Sequence, residues 1–294
     1  MTETDFPLSL RGRCFTLDEL GQIRTIIARR SSENRAAISR EICAHLNWRQ
    51  PNGELKDAAC RYVLLKLHRA GLITLPPPKR AARRWRPIPP SPQTDPQFPI
   101  TASADQLGPL ELLIVTGNSY GRLFREYLDR YHYLGHQVIV GPQLRYLIRC
   151  REGLLGAIAF AAAAWKVAPR DHWIGWDHPT RERNLRYVVN NVRFLLLPWV
   201  QSQNLASRIL AHCAQQVPAD WQKRYGYQPL LFETFVEKGR FQGTSYKAAN
   251  WIYVGDTQGR GKNDRFNQNF LPLKAIYLYP LSSDARQRLC RLDD

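Results

Sequence analysis

The sequence predicts an α/β domain, a mixed sheet with flanking helices, preceded by a small α domain of winged-helix type. Three observations carry that expectation. Helical periodicity fills residues 16 to 70, a basic Pro-rich stretch follows, and from about residue 107 helical runs alternate with short apolar, strand-like ones. The expected boundaries are 1–78, 79–106 and 107–294.

The first helix opens on Thr16-x-x-Glu19, a capping box in which each side chain satisfies the other's free backbone donor, and runs through Leu17, Leu20, Ile23 and Ile27. The second places Ile38, Ile42 and Leu46 at four-residue spacing. The third carries Leu55, Ala58, Tyr62, Leu65 and Leu67 before Gly71, a C-terminal stop. Leu72 to Leu75 then reads as a short wing strand closed by Pro76-Pro77-Pro78, which cannot continue a ladder. In a module of this type the third helix enters the major groove, so Lys56, Arg61, Lys66 and Arg69 would face phosphates or bases. A small protein-docking domain with a solvated basic face is the alternative.

The linker begins KRAARRWR, five cations and one Trp in eight residues. Lys79, Arg80, Arg83, Arg84 and Arg86 could follow a DNA backbone or minor groove while Trp85 stacks, although a solvated charge run has the same composition. Beyond it, a helix is expected over 120–130, strands over 144–150 and 154–161, a polar helix over 181–191 and an apolar strand over 194–200. A helix over 204–216 and a strand over 230–236 follow, then a Gly- and Asn-rich tail ending in an apolar run at 275–281.

Forty-two Lys and Arg stand against 25 Asp and Glu, a net charge of +17 over 294 residues. The excess is shared: 17 bases against 10 acids up to residue 106, 25 against 15 beyond it. A basic footprint on both parts suits double- or single-stranded DNA, or RNA, better than it suits a single charged tail on a neutral enzyme. The six cysteines are scattered without a C-x-x-C pair and read as reduced, buried thiols. No apolar run reaches membrane-spanning length and the N-terminus lacks a signal pattern, so a cytoplasmic protein without a membrane partner is expected.

Among candidate sites, alternation along LLFETFVE places Glu233 with apolar neighbours, where a carboxylate must be paired, metal-bound or protonated. It is either the ion-pair partner of an arginine such as Arg193 or Arg240, or a catalytic or metal-binding group. PRDHWIGWD (169–177) adds Asp171 and Asp177, which with Glu233 could hold Mg²⁺ for phosphodiester chemistry. The competing reading is a loop in which Asp171 pairs with Arg170 or caps a turn. His132 and His136 are four apart without the glutamate of a zinc-binding helix; His132 is a candidate acid–base group and Tyr246 a candidate hydroxyl nucleophile. Glycines interleaved with Arg240, Lys247, Arg260, Lys262 and Arg265 suit a phosphate-contacting loop. No nucleotide-binding glycine motif is present.

YHYLG, GPQLRYLI, APRDHWIGW, NVRFLLLPWV, NLAS, ETFVEKGRFQGTSYKAANW and GDTQGRGK, in this order across residues 107–281, resemble the DruA family of the Druantia anti-phage system. Related domains also occur fused to or beside transposases. The resemblance implies defence or mobile-element biology, and leaves open a homo-oligomer or defence and transposition partner proteins. The same region is similar in layout to acetyltransferases of the GNAT superfamily, which hold a cofactor pyrophosphate in an R/Q-x-x-G-x-G/A loop opening a helix after a strand. DHPTRERNLR (177–186) is the expected counterpart and contains no glycine. The function expected is DNA binding with strand nicking, cleavage or transfer. A non-catalytic DNA-recognition subunit and a GNAT-type acyltransferase are the alternatives.

Overall fold

The computed structural model describes residues 2–78, 89–116, 119–259 and 271–291. The chain forms two compact units, residues 1–86 with 224–227, and residues 87–223 with 228–294.

The first unit opens on an antiparallel hairpin, β1 (Leu8–Leu10) and β2 (Arg13–Phe15), and continues into α1 (Leu17–Arg29), α2 (Arg35–His45) and α3 (Asp57–Arg69). The capping box forms as the sequence requires. Glu19 N donates to Thr16 Oγ1 and Thr16 N to Glu19 Oε2, both at 3.2 Å. Asn34 caps α2 by accepting from the amides of Ala36 and Ala37. Leu20, Ile23, Ile38, Ile42 and Leu64 are buried between the helices.

Two expectations for this unit change. Residues 72–75 make no ladder; Leu72, Ile73 and Leu75 are buried against the helical core instead, and the hairpin lies at the N-terminal end, where no strand was expected. On α3 the buried face is Cys60, Val63, Leu64 and Leu67, while Tyr62 is 49% exposed, its ring covered by the Arg11 guanidinium 4.1 Å away.

The second unit is a seven-stranded mixed sheet in the order β3-β4-β5-β6-β7-β9-β8. Its strands are β3 (Glu111–Ile114), β4 (Gln143–Cys150), β5 (Gly153–Ala162), β6 (Val188–Leu196), β7 (Leu231–Glu237), β8 (Ile252–Asp256) and β9 (Lys274–Pro280). All neighbours pair antiparallel except β6 and β7, which are parallel. A parallel pair needs a long crossover, and α7 (Leu205–Tyr225) supplies it. The remaining helices are α4 (Ser119–Tyr131), α5 (Ala168–Ile174), α6 (His178–Asn184), α8 (Thr244–Ala248) and α9 (Ala285–Cys290). The mixed α/β class is as the sequence predicts.

The Pro-rich stretch is shorter as a linker than its composition suggests, because residues 89–106 are built into the second unit. Ser91 and Thr94 donate to the buried Glu126 carboxylate, and Ile100 N donates to Trp199 O. Although burial opposes ionisation, bonds from Ser91, Arg122 and Thr94 hold the Glu126 carboxyl down at about 2.

Several element bounds also differ. The expected polar helix 181–191 ends at Asn184, and Asn190 and Asn191 belong to β6, buried despite their polarity. The strand expected at 194–200 is the end of β6, and α7 runs nine residues beyond the expected 216, to Tyr225. Residues 169–177 are chiefly the short helix α5, stopped at Gly175 with φ 87°. All six cysteines are free thiols, but Cys14 and Cys290 are exposed. Among the described residues no helix is long and apolar enough to cross a membrane.

Candidate ligand cleft and basic face

The parallel seam between β6 and β7 is only four residue pairs long, from Val188 opposite Leu231 to Asn191 opposite Thr234. Beyond it the strands part, β6 staying with β5 and β7 with β9. A bulge helps turn β6 aside: Asn191 pairs with Phe160 and Arg193 with Ala159, leaving Val192 as the extra residue. The gap is a cavity of about 790 Å³, walled by the segment after α4 (His132, Tyr133), by β6 and β7, and by the approach to α8 (Phe241 to Tyr246).

Its floor is a hydrogen-bonded polar cluster. The Asn191 side-chain amide donates to Ala159 O and Arg193 O, both at 3.0 Å, which fixes Oδ1 as the acceptor for the Tyr246 hydroxyl at 2.7 Å. Thr234 Oγ1 donates to Asn191 O at 3.1 Å. The Tyr246 ring packs against Trp251 and Tyr277. Gly243 makes this arrangement possible: it sits at φ 71°, and a Cβ there would lie 2.5 Å from the Tyr277 hydroxyl. Burial pushes the Tyr246 phenol up, with the Thr234 bond opposing it, so at neutral pH it is a proton donor. The groups bonded to its hydroxyl, an amide oxygen and an alcohol, are not bases that would make it a nucleophile.

His132 lines the same cavity. Its Nδ1 accepts from Leu134 N at 3.2 Å, which leaves the proton on Nε2, and burial together with the Arg193 charge pushes its pKa down to about 4. Arg193 is 9% exposed. Its Nη1 donates to Val192 O, Nη2 reaches Gln137 at 3.5 Å, and Nε has no partner. Burial lowers its pKa from the ordinary arginine value.

The three carboxylates expected to hold Mg²⁺ are not brought together. Glu233 is an ion-pair partner, but of Arg170 rather than Arg193 or Arg240: Arg170 Nη1 donates to Oε2 at 2.9 Å, Ala164 N donates to Oε1 at 2.9 Å, and both charged side chains are fully buried. Burial raises the Glu233 pKa against the Arg170 charge. Asp171 sits on the other side of Arg170 at 2.8 Å and also accepts from Trp176 Nε1, in line with the alternative pairing expected from the sequence. Asp177 caps α6 by accepting from Thr180 N. Each carboxylate thus has a structural post, and among the described residues no group of three or more His, Cys, Asp or Glu could hold a metal ion. The site residues brought together are His132 and Tyr246, joined by Asn191, Thr234 and Arg193; a lone arginine inside the apolar run NVRFLLL is the sequence signal for the last.

Of the cations, Arg61, Lys66 and Arg69 lie exposed on α3 around Tyr62, and Lys56 is half-buried at the helix start. Arg61 is 3.6 Å from Asp57, whereas Lys66 and Arg69 have no acidic partner among the described residues. Arg240 lies over the Tyr133 ring at 4.9 Å, and Lys247 is exposed on α8. Lys79, Arg80, Arg83, Arg84, Trp85, Arg86, Arg260, Lys262 and Arg265 lie outside the described residues.

Residues 177–186 precede β6 and form α6, so they are not the strand-to-helix loop expected of them. That junction is 197–204, between β6 and α7. It reads Gln201-Ser202-Gln203-Asn204-Leu205-Ala206, which meets Q-x-x-G-x-A at every position except the glycine. Asn204 supplies the glycine-like backbone, φ 59°, and Ala206 lines the cavity.

Three solved acetyltransferase structures are similar to part of the chain. An acetyltransferase of Salmonella typhimurium that modifies the N-terminal serine of a 50S ribosomal subunit protein is 12% identical, covering 48% of this chain and just under two thirds (66%) of its own, with a TM-score of 0.32. A spermidine N-acetyltransferase of Vibrio cholerae is 9% identical, covering 61% and 97%, at 0.34. An aminoglycoside acetyltransferase in complex with coenzyme A is 12% identical, covering 61% and 98%, at 0.39. At these scores the likeness is partial and no activity follows from it. No curated protein matches the sequence. The family described as Druantia protein DruA matches residues 66–279, which takes in the cleft, α7 and the Arg170–Glu233 pair, and the chain belongs to that family.

Proposed function

We propose that this DruA-family protein recognises DNA in bacterial anti-phage defence, as a recognition subunit rather than a strand-cutting enzyme. The observation that carries the reading is the exposed face of α3, where Arg61, Lys66 and Arg69 surround Tyr62 and two of the three cations meet no acid among the described residues, in a chain of net charge +17. Strand cleavage finds less support, because Glu233, Asp171 and Asp177 are held by Arg170, Trp176 and Thr180, and Tyr246 bonds to an amide oxygen. Fluorescence anisotropy with a labelled duplex across a salt series tests the reading. Replacing Lys66 and Arg69 by alanine lowers affinity and makes the slope of log K against log salt shallower by about 0.9 for each phosphate no longer neutralised. Equal affinity and slope in the variant, or Mg²⁺-dependent breaks in the DNA, would refute it.

One observation favours acyl transfer as a second reading. The Gln201–Ala206 turn opens α7, and Ala206 lines the cavity that also holds the Tyr246 hydroxyl. Calorimetry with acetyl-CoA decides it: binding weakened by A206W favours transfer, and no heat of binding removes it.

A further inference from the structure

The lining of the cavity has a one-sided charge. Its described residues include Arg193 and Lys274 and no aspartate or glutamate. Arg193 is only 9% exposed, its Nε lacks any partner, and its other nitrogens reach only a backbone carbonyl and, at 3.5 Å, a glutamine. A guanidinium withdrawn from water without a counter-ion is costly, and an anion bound beside it offsets that cost. Planar, forked donors match phosphate oxygens two at a time. The opposite need, a surface for a flat ring, is met on the same wall. Phe241 is 46% exposed and stands edge-on to Tyr133 at 5.2 Å, with the Arg240 guanidinium over Tyr133. A volume of about 790 Å³ accommodates a ligand of nucleotide size.

From an Arg193 that meets no acid among the described residues, a lining without aspartate or glutamate among those residues, and the Tyr133–Phe241 wall, we infer that the β6–β7 cleft binds a nucleoside monophosphate group, its phosphate on Arg193 and its base against the aromatic wall. The chemistry is shared by a free mononucleotide and by the 5′-phosphorylated end of a DNA strand. The cleft is built from residues of the second unit and α3 from the first, so the inference is tested independently of duplex recognition by α3.

The test is calorimetry on the full chain with AMP, adenosine, and one hexanucleotide carrying either a 5′-phosphate or a 5′-hydroxyl. AMP binds, and adenosine binds about tenfold or more weakly. R193M removes that preference for the phosphate, R193K keeps part of it, and the Lys66/Arg69 alanine variant binds AMP as the natural chain does. Phe241→Ala, on the exposed wall, weakens AMP and adenosine alike and serves if R193M fails to fold. A 5′-phosphate preference of the oligonucleotide that R193M abolishes assigns the strand end as the source; AMP binding without that preference assigns a free nucleotide. Equal affinity for AMP and adenosine, absence of AMP binding, or AMP binding indifferent to R193M overturns the inference.

Discussion

Replacing Glu233 with glutamine changes one atom and keeps the volume, yet it strikes the least forgiving point of the α/β unit. Glu233 and Arg170 are both fully buried, and the two carboxylate oxygens accept from different donors, Ala164 N and Arg170 Nη1. A glutamine offers one oxygen, so its NH₂ must oppose one of those donors, and Arg170 loses half of its charge compensation. Breaking a buried pair by changing one partner costs about 3–5 kcal/mol, and because Asp171 remains at 2.8 Å from Arg170 the lower end applies. For a unit of this size each kcal/mol moves the melting midpoint by about 2–4 °C, which makes the expected fall roughly 6–12 °C. Thermal unfolding followed by circular dichroism measures it. Joint replacement, E233M with R170M, recovers much of the loss, since no uncompensated charge remains and Asp171 keeps Arg181, Trp176 and the Val167 amide. A midpoint unchanged in E233Q would refute the structural account of this pair and make Glu233 a candidate functional carboxylate again.

Two further outcomes follow from the cleft. Burial holds His132 neutral down to about 4, against the ordinary 6.5, so the unfolded chain takes up its proton first as pH falls. Stability is therefore full above about 6.5 and is lost between there and about 4; urea midpoints at several pH values show this decline, and His132→Gln flattens it. A decline of the same size in the variant would assign it elsewhere. Gly243→Ala forces a Cβ against the Tyr277 ring at a backbone angle that favours glycine, costing about 1–3 kcal/mol and displacing Tyr246; a melting curve like that of the natural chain would disprove the crowding.

The helical unit was legible because its signals are local. Thr16 and Glu19 are three apart, and apolar positions repeat within single helices. The phase of α3 was misread because Tyr62 counts as apolar by composition, while its ring faces out under Arg11, a contact made across the hairpin. Asn191 reads as helix for a similar reason: a polar residue sits in a buried strand when distant groups satisfy it, as Ala159 and Tyr246 satisfy Asn191. Alternation placed Glu233 in the interior, but its partner lies 63 residues away and no periodicity points to it. In the sequence Arg193 stands only as a possible partner for Glu233, although it is the one charge in NVRFLLL. That it meets no carboxylate among the described residues depends on the fold.

The short seam between β6 and β7 has a mechanical consequence. Backbone pairing joins the antiparallel half-sheet β3–β6 to the half-sheet β7–β9–β8 along four residue pairs only. The seam is thus the shortest backbone join between interior strands of the sheet, and amide exchange at its four pairs reports any parting of the two halves. The cavity is lined from both sides of that join, by Asn191 to Leu196 of β6 and Thr234 to Val236 of β7, so a molecule held there would touch both halves of the sheet.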